Sequence, residues 1–229
     1  MLSLLSSVGT PATKSFGAAP LTGKVQFNGS NYLSTAQNLA IGTGQFTIEF
    51  WVKPQRANIN QQGYFGTGNG SAGWAIYMSY AQDNRISFKI ENGLNHNSNY
   101  IPTANEWIHV AVQRNGSNRI QIYINGVLQY TSSANDTTNL TTTSGYVLGR
   151  AYATASFGNV QSGTQMTAVR LSNIARYSAN FTPTQTQIPH GTNTYAVFNF
   201  KDSSTFLSTE NNAYSLTNNG AVTWVSGFP

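Results

Sequence analysis

Hydrophobic and polar side chains alternate with a period of two along most of the chain from residue 24 onward. The stretch 46–53 shows this alternation clearly, and the stretches 107–113 and 119–124 repeat it. A period of two places successive side chains on opposite faces of a β-strand, so we predict strands with one buried face. The residues predicted to point inward are Phe46, Ile48, Phe50, Val52, Ile108, Val110, Val112, Ile120, Ile122 and Ile124.

Shorter alternating stretches and turn signals extend this pattern to the end of the chain. The pair Asn125-Gly126 separates two alternating runs and favours a two-residue hairpin, because both positions of a type I′ turn need positive φ. Residues 173–178 are a candidate helical turn. Many short strands at this spacing predict an all-β fold, an antiparallel two-sheet sandwich. Further strands are predicted at 74–80, 86–90, 146–150, 166–171, 195–200, 214–217 and 221–225, and turns at 66–70, 92–93 and 218–220.

The predicted organisation is an extended N-terminal arm followed by a single domain. Residues 1–20 lack periodicity and contain two prolines among small residues, which is typical of an arm. Residues 21–229 contain no repeat and no linker that would divide them. The first residues are apolar, but they lack a positively charged region and are too short to span a membrane. We therefore expect no signal peptide, no transmembrane segment and no membrane partner.

The composition is unusually poor in charge. Charged residues make up 8% of the chain, against roughly 25% in an average globular protein. The net charge of +5 reflects a shortage of acidic residues, and the basic residues are spread singly along the chain. Phosphate binding needs a clustered basic patch, so we expect no nucleic-acid partner. The chain has no cysteine, which excludes disulfides and cysteine-ligated metals.

Six stretches resemble, in the same order, motifs of the laminin-G-like jelly rolls in the concanavalin A-like lectin and glucanase superfamily. This resemblance covers most of residues 24–175 and implies a jelly-roll sandwich. The stretches are 25–32, 46–54, 106–114, 122–127, 147–149 and 169–171.

The later part of the chain is similar to a variant common in bacteriophage and marine-virus structural proteins. Residues 169–177, followed by Phe181-Thr-Pro183, carry this resemblance, and the stretches 196–200 and 216–220 resemble its closing strands. It implies a virion structural protein on the particle surface, acting as a capsid-decoration or fibre component. Residues 1–20 would then contact other virion subunits. Whether the chain forms a homo-oligomer or contacts host surface glycans stays open.

Two departures from the family bear on metal binding. The chain has Tyr123-Ile-Asn-Gly126 and Met166-Thr-Ala-Val-Arg170 where many members carry acidic residues. Calcium prefers several hard oxygen ligands that include carboxylates, so we expect no metal site. The glycines of 68–73 match a nucleotide-binding pattern, but a predicted strand follows them instead of a helix. We expect no cofactor.

The arrangement of acidic residues indicates whether the chain could hydrolyse glycosidic bonds. Retaining glycoside hydrolysis needs two carboxylates about 5–5.5 Å apart. The pattern Glu-x-Asp-x-x-Glu is absent, and Glu49 and Glu106 come from separate predicted strands with nothing in the sequence to bring them together. We therefore expect no catalytic residues and a non-enzymatic protein.

Aromatic side chains are the candidate ligand contacts, because sugars are commonly held by aromatic rings with amide and hydroxyl partners. The same residues are also ordinary strand and core formers. Trp51 and Tyr123 alternate away from the inward aliphatic residues and could serve a ligand or a subunit contact. The candidate ligand-binding residues are Trp74, Tyr77, Tyr80, Tyr100, Tyr152 and Phe157.

Three functions remain as alternatives. The leading hypothesis is a virion structural module, and the second is a lectin-like carbohydrate-binding module of a bacterial surface protein. A glycan hydrolase is a third, minor alternative.

Overall fold

A computed structural model describes residues 18–38, 40–55, 61–69, 72–79, 83–91, 94–153, 158–210 and 214–228. Within these ranges the chain forms β-strands and no helix. The strands build two antiparallel sheets that pack face to face around one hydrophobic core. The predicted all-β, two-sheet jelly-roll sandwich is confirmed.

The first sheet, sheet I, consists of β1 Gly23–Gln26, β3 Phe46–Lys53, β8 Ile108–Arg114, β9 Ile120–Ile124, β10 Val127–Thr131, β12 Gln165–Ser172, β13 Thr194–Phe198 and β15 Thr223–Ser226. Sheet II consists of β2 Tyr32–Ser34, β4 Gln62–Asn69, β5 Ala72–Ser79, β6 Arg85–Ile90, β7 Asn95–Asn97, β11 Tyr146–Leu148 and β14 Thr217–Asn219. The order in sheet I is β10-β9-β8-β3-β12-β1-β15, with β13 also paired to β12, and the order in sheet II is β14-β2-β11-β4-β5-β6-β7.

Strand β3 has the bounds that the alternation predicts, and the inward residues predicted for β3, β8 and β9 all lie in the core between the sheets. The opposite face of β3 is buried as well, including Thr47, Glu49 and Trp51. Residues 173–188, here called the strap, cover that face. The Thr47 hydroxyl donates to the carbonyl of Ile174 (2.7 Å), and Trp51 Nε1 donates to the carbonyl of Thr184 (2.9 Å).

The strap begins without the helical turn considered for residues 173–178. The side chain of Gln113 holds this segment instead. Its Oε1 accepts from the backbone N–H groups of Arg176 and Tyr177 (3.1 Å each), and its Nε2 donates to the carbonyl of Tyr177 (2.6 Å). A long-range amide contact therefore satisfies backbone groups that a helix would have paired locally.

The hairpin predicted at Asn125-Gly126 is confirmed. Asn125 and Gly126 have φ of 51° and 77°, and Val127 pairs directly with Ile124. The strap passes over this turn, and Phe181 donates its N–H to the carbonyl of Gly126 (2.9 Å). The carbonyl of Phe181 occupies the space where a Cβ of Gly126 would lie.

Strand β4 extends into a predicted turn, so the prediction of a turn over 66–70 is wrong at its start. Glycines interrupt the hydrophobic alternation of this strand. Side chains at these positions would clash with another segment of the chain that packs directly against the strand. The backbone of Ala151 sits where side chains of Gly63 and Gly66 would project. The pairing of β4 with β5 extends to Asn69 and Ala72.

The C-terminal strands are shifted relative to the alternation. Strand β14 covers part of the predicted turn at 218–220, and within the predicted strand 214–217 only Ser215 forms an isolated bridge, with Ser208, before β14 starts at Thr217. Hydrogen bonds between the side chain of Asn218 and the backbone of Val222 close the turn after β14 (2.7 and 2.9 Å).

Residues 1–17 of the predicted arm lie outside the described residues. The described end of the arm runs along the strap, where Pro20 bridges Thr186 and Gln187 donates its N–H to the carbonyl of Ala19 (2.7 Å). The division into an arm and one domain over 21–229 stays a prediction.

The two ends of β3 mark the two ends of the sandwich. At the Phe46 end, Leu140 donates its N–H to the carbonyl of Gly42 (2.9 Å) and accepts a hydrogen bond from Trp74 Nε1 (3.2 Å). The end of β4 and the start of β5 therefore lie at this end of the sandwich. At the Lys53 end lies the start of β8, because Val52 pairs with Ile108.

Candidate functional site

A cleft of about 360 Å³ opens at the Phe46 end of the sandwich. Its walls are formed by the end of β4, the start of β5, the end of β6 and the connection between β10 and β11. We call it the loop cleft. It is lined by Gly68, Gly73, Trp74, Ile90, Glu91, Thr138, Asn139, Leu140, Thr141, Thr142, Thr143 and Ser144.

Residues 138–144, the hydroxyl loop, supply most of the polar lining. The side chain of Leu140 is buried in the core and anchors the loop there, and the residues on either side of it face outward. Thr138, Asn139, Thr141 and Thr143 are exposed. The loop thus presents hydroxyl and amide groups from a backbone that a buried side chain fixes in place.

The loop is also tied to sheet II by short polar contacts. The hydroxyl of Thr142 lies 2.8 Å from that of Thr67 on β4, and Thr67 also donates to the carbonyls of Ser144 and Gly145 (3.0 and 2.9 Å). Trp74 forms the inner wall, stacked on Phe65 with ring centroids 5.6 Å apart. These contacts hold the wall of the cleft in one shape.

Glu91 places a carboxylate on the wall that faces the hydroxyl loop. Its backbone N–H donates to the carbonyl of Gly73 (2.9 Å), and its side chain is 6% exposed. Lys89 Nζ lies 3.1 Å from one carboxylate oxygen, and the hydroxyl of Tyr152 donates to the same oxygen. Burial, together with the hydrogen bond to Glu91 and its charge, raises the pKa of Tyr152, so this phenol stays protonated as a donor.

A buried arginine anchors the hydroxyl loop to sheet I. Arg114, at the end of β8, is fully buried and donates to the carbonyls of Thr138 (2.7 Å), Gly42 and Gly44 (3.3 Å each). Its Nη2 lies 3.4 Å from Asp136, and His96 Nε2 lies 3.4 Å from the other carboxylate oxygen. These contacts fix the entry to the loop.

The charge state of Asp136 follows from these neighbours. Burial by itself raises the pKa of Asp136. The hydrogen bonds from Thr138 and the positive charge of Arg114 outweigh this effect and lower the pKa below its ordinary value. The pKa of His96 is lowered, mainly because burial disfavours its charged form.

The candidate aromatic residues fall at different depths. Trp74 lies at the loop cleft, but its side chain is 0% exposed. Tyr77 and Tyr152 are each 1% exposed and pack with Ala75 and Ala151 on the outer face of sheet II. Tyr100 is half-buried against the core.

The rings of Trp74, Tyr77 and Tyr152 offer no free face to a ligand, because all three side chains are buried. Trp74, Ile76 and Met78 alternate inward on β5, and residues 149–153 lie over the other face of the sheet. Tyr80 and Phe157 lie outside the described residues. A role of the six residues in ligand binding stays a prediction, and the structure brings Trp74 and, through Glu91, Tyr152 to one cleft.

Sequence reasoning missed Glu91 and the hydroxyl loop. A signal for the loop is present in the run from Thr137 to Ser144, which has neither a period nor charge and contains six hydroxyl residues and one amide. No local signal marks Glu91, since its partner Tyr152 is 61 positions away.

Glu49, considered above for catalysis, is locked in a different network. It is buried on the outer face of sheet I, where Arg170 lies 2.6 Å and His109 3.2 Å from its carboxylate and the hydroxyl of Tyr177 donates to it. Burial by itself raises the pKa of Glu49. The hydrogen bond from His109 and the charge of Arg170 outweigh this effect and lower the pKa to about 2. Its carboxylate therefore joins β3 to β8 and β12 through His109 and Arg170, and to the strap through Tyr177.

Tyr123, the second outward aromatic residue of sheet I, lies beneath the strap. Its ring contacts Tyr177 and Phe181, with centroids 5.8 and 5.7 Å away. Tyr123 is therefore buried by its own chain, whereas Trp51 borders a second cleft described below.

Among the described residues, no three His, Asp or Glu side chains are grouped so that they could share a metal ion. That part of the chain also contains no helix long and apolar enough to span a bilayer.

Comparison with known proteins agrees with this architecture. Residues 27–185 match the Laminin_G_3 model of the concanavalin A-like lectin/glucanases superfamily. The chain belongs to this family, and its fold is the lectin-like jelly roll. No curated protein matches the chain.

Solved structures with similar folds have low sequence identity. A candidate carbohydrate-binding protein from Bacteroides ovatus superimposes with a TM-score of 0.73 and 16% identity, over 90% of this chain and 60% of that one. This chain thus spans somewhat more than half of the Bacteroides protein. A heptameric SAP-like pentraxin from Limulus polyphemus gives a TM-score of 0.62 and 16% identity, over 89% of this chain and 94% of that one. These similarities concern the fold.

Proposed function

We propose that the protein is a non-enzymatic carbohydrate-binding module and that the loop cleft is its binding site. The observation that carries this proposal is a preformed cleft, lined by hydroxyl, amide and carboxylate groups, on a lectin-like jelly roll. The similarity to the Bacteroides ovatus protein supports the same class of function.

The lining has the chemistry that a sugar requires. Sugar hydroxyls both donate and accept hydrogen bonds. The side chains of threonine, serine and asparagine can likewise act as donors and as acceptors. Glu91 adds a negatively charged acceptor, which strengthens a hydrogen bond from a sugar hydroxyl. The volume of about 360 Å³ falls within the range typical of small-molecule sites.

The anchoring of the loop favours binding without large rearrangement. Leu140, Thr142 and the Arg114 contacts hold the hydroxyl loop before any ligand arrives. A rigid site loses less conformational entropy on binding, so a modest number of hydrogen bonds gives measurable affinity.

The absence of catalysis is part of the proposal. Hydrolysis needs an acid and a nucleophile or base that act together on one bond. Glu49 is held beneath the strap by Arg170 and His109, and Glu91 is held by Lys89 and Tyr152. Release of reducing ends from a soluble β-glucan, measured over long incubation, would instead favour the hydrolase alternative.

The binding proposal is tested by glycan-array screening followed by calorimetric titration with the best neutral oligosaccharide. Glu91→Gln and Thr143→Val should each weaken binding, and Thr217→Val, an exposed threonine on β14, should leave affinity unchanged. Equal affinities for wild type and both cleft variants would refute the loop cleft as the site. Absence of binding to any glycan at millimolar concentration would refute the function.

A narrower hypothesis places this module on a virus particle. It is supported by the resemblance of residues 169–177 and 181–183 to bacteriophage structural proteins, while the relatives cited above are a candidate carbohydrate-binding protein and a pentraxin. Residues 1–20 would then attach the module to other virion subunits, and the module would face host glycans. Removal of residues 1–20 should abolish attachment to particles, and unchanged attachment would contradict the virion role.

A homo-oligomer also stays a prediction, which a measurement of the molar mass in solution by light scattering would check.

A further inference from the structure

A second cleft, of about 580 Å³, lies at the Lys53 end of the sandwich on the outer face of sheet I. We call it the aromatic cleft. It is separate from the loop cleft, because the two lie at opposite ends of β3. It is lined by Trp51, Trp107, Asn125, Pro183, Gln185 and Phe228.

Three aromatic rings converge at this cleft. The ring centroid of Phe228 lies 5.4 Å from that of Trp51 and 5.0 Å from that of Trp107. Trp51 Nε1 donates to the carbonyl of Thr184 (2.9 Å), which fixes the orientation of this indole and satisfies its N–H. Trp107 is half-buried, so part of its ring remains open to a ligand.

The rim of the cleft is polar but uncharged. Asn125 and Gln185 are exposed, and among the described residues that line the cleft none carries a charge. The side-chain oxygen Oδ1 of Asn125 accepts from the backbone N–H of His109 (2.8 Å), which fixes this side chain on the turn. Each side-chain amide offers both donors and an acceptor.

This lining matches a neutral, amphipathic ring. A pyranose has an apolar C–H face that packs on an aromatic ring and a rim of hydroxyls that hydrogen-bond to amides. A charged ligand would find no counter-ion among the lining residues, and a purely apolar one would leave the two amides without partners. The cleft is wide enough for such a ligand, by the usual volumes of small-molecule sites.

We propose that the aromatic cleft is a second carbohydrate-binding site and that the single chain is therefore bivalent. The two sites lie about 25 Å apart, given that the eight residues of β3 separate them and each adds ~3.3 Å. The loop cleft would bind through hydrogen bonds, and the aromatic cleft through ring stacking. A bivalent chain can hold two sugars of one polysaccharide, or cross-link two chains, with avidity above that of either site.

The four tryptophans give a test that separates the two sites. Each indole N–H gives one signal in a ¹H–¹⁵N correlation spectrum, assigned by single Trp→Phe variants. Trp51 and Trp107 report on the aromatic cleft and Trp74 on the loop cleft, while Trp224, bound to the carbonyl of Phe200 (2.7 Å), lines neither. The probes are cellotetraose, xylotetraose and mannotetraose at up to millimolar concentration.

Saturable shifts of the Trp51 and Trp107 signals, with Trp224 unmoved, are expected with at least one probe. Trp107→Ala should weaken this response by about tenfold or more. Gln185→Ala, which leaves the aromatic rings in place, should also weaken it, and Gln37→Ala, another exposed glutamine, should not.

The other outcomes are equally informative. A shift confined to Trp74 overturns the second site and leaves the proposed function intact. A shift confined to Trp51 and Trp107 supports the second site and excludes the loop cleft as a binding site. Signals of Trp51 and Trp107 that move on dilution without sugar show docking of a second copy of the chain and overturn the carbohydrate assignment.

Discussion

Arg114 and Asp136 form a buried ion pair, 3.4 Å apart, that joins the end of a central strand of sheet I to the loop lining the candidate site. Removing two charges from water is costly unless hydrogen bonds replace their hydration. Arg114 meets this need by donating to three backbone carbonyls, those of Gly42, Gly44 and Thr138. Core and site are therefore coupled through one side chain.

Replacing Asp136 should affect both stability and binding. Asp136→Asn leaves the charge of Arg114 without its counter-ion, and we expect the free energy of unfolding to fall by about 3 kcal/mol. Urea denaturation measures this loss. Sugar affinity at the loop cleft should fall as the entry to the hydroxyl loop loosens, whereas the aromatic cleft should bind as before. Asp83→Asn, at an exposed aspartate, is the control. A fully stable Asp136→Asn protein would contradict the anchoring role.

The strap should weaken in acid because of Glu49. Its ordinary pKa is 4.5, and the folded chain lowers this pKa to about 2, so the unfolded chain binds a proton first as the pH falls. Stabilisation of about 3 kcal/mol is present above pH 4.5 and is lost between about pH 4.5 and pH 2. Urea denaturation at neutral pH and at about pH 3 tests this, and Glu49→Gln should show a smaller difference than wild type or Glu106→Gln. Identical pH dependence in all three proteins would exclude Glu49 as the source.

The turn at Gly126 should tolerate no larger residue. Gly126→Ala would place a side chain at φ of 77° and against the carbonyl of Phe181. We expect a loss of about 2 kcal/mol or more in the free energy of unfolding, since positive φ and a backbone clash add. Thermal unfolding is a sufficient measurement. Gly191→Ala is the matched control, because a Cβ there meets no atom within 4 Å.

The hydrogen bond from Tyr152 to Glu91 should matter for the loop cleft. Tyr152→Phe removes the hydroxyl that orients the carboxylate of Glu91, while the charged neighbour Lys89 remains. We expect a loss of about 2 kcal/mol in stability and weaker sugar binding. Tyr195→Phe, which removes a tyrosine hydroxyl bonded to the carbonyl of Ala40, serves for comparison. Binding that is equal in both variants would mean that the orientation of Glu91 is irrelevant.

The sequence predicts the core more fully than the surface. The alternation in Phe46–Lys53 gives both the bounds of β3 and its inward face, because burial between two sheets depends on local periodicity. The burial of Glu49 and Tyr123 on the opposite face depends on the strap, which folds back from 50 to 130 positions away. Periodicity carries no information about such a cover.

The same distinction explains the site. The alternation of Trp74 with Ile76 and Met78 already indicates an inward ring, and the structure buries it. The approach of Glu91 to the hydroxyl loop depends on the packing of three separate connections, so no local pattern contains it. Strand β4 was missed for a related reason, since its glycines make room for Ala151, far along the chain.

The hydroxyl loop is fastened at both of its ends, by Arg114 at Thr138 and by Thr67 at Ser144 and Gly145. Between these points, Asn139 Oδ1 accepts from the N–H of Thr141, and the Thr141 hydroxyl accepts from the N–H of Gly42 (3.0 Å each). Leu140 and Thr142 hold the loop as well, whereas the exposed Thr143 can be exchanged without disturbing this framework. New sugar specificities could therefore be selected from a library randomised at position 143, with positions 139 and 141 restricted to side chains that keep these hydrogen bonds.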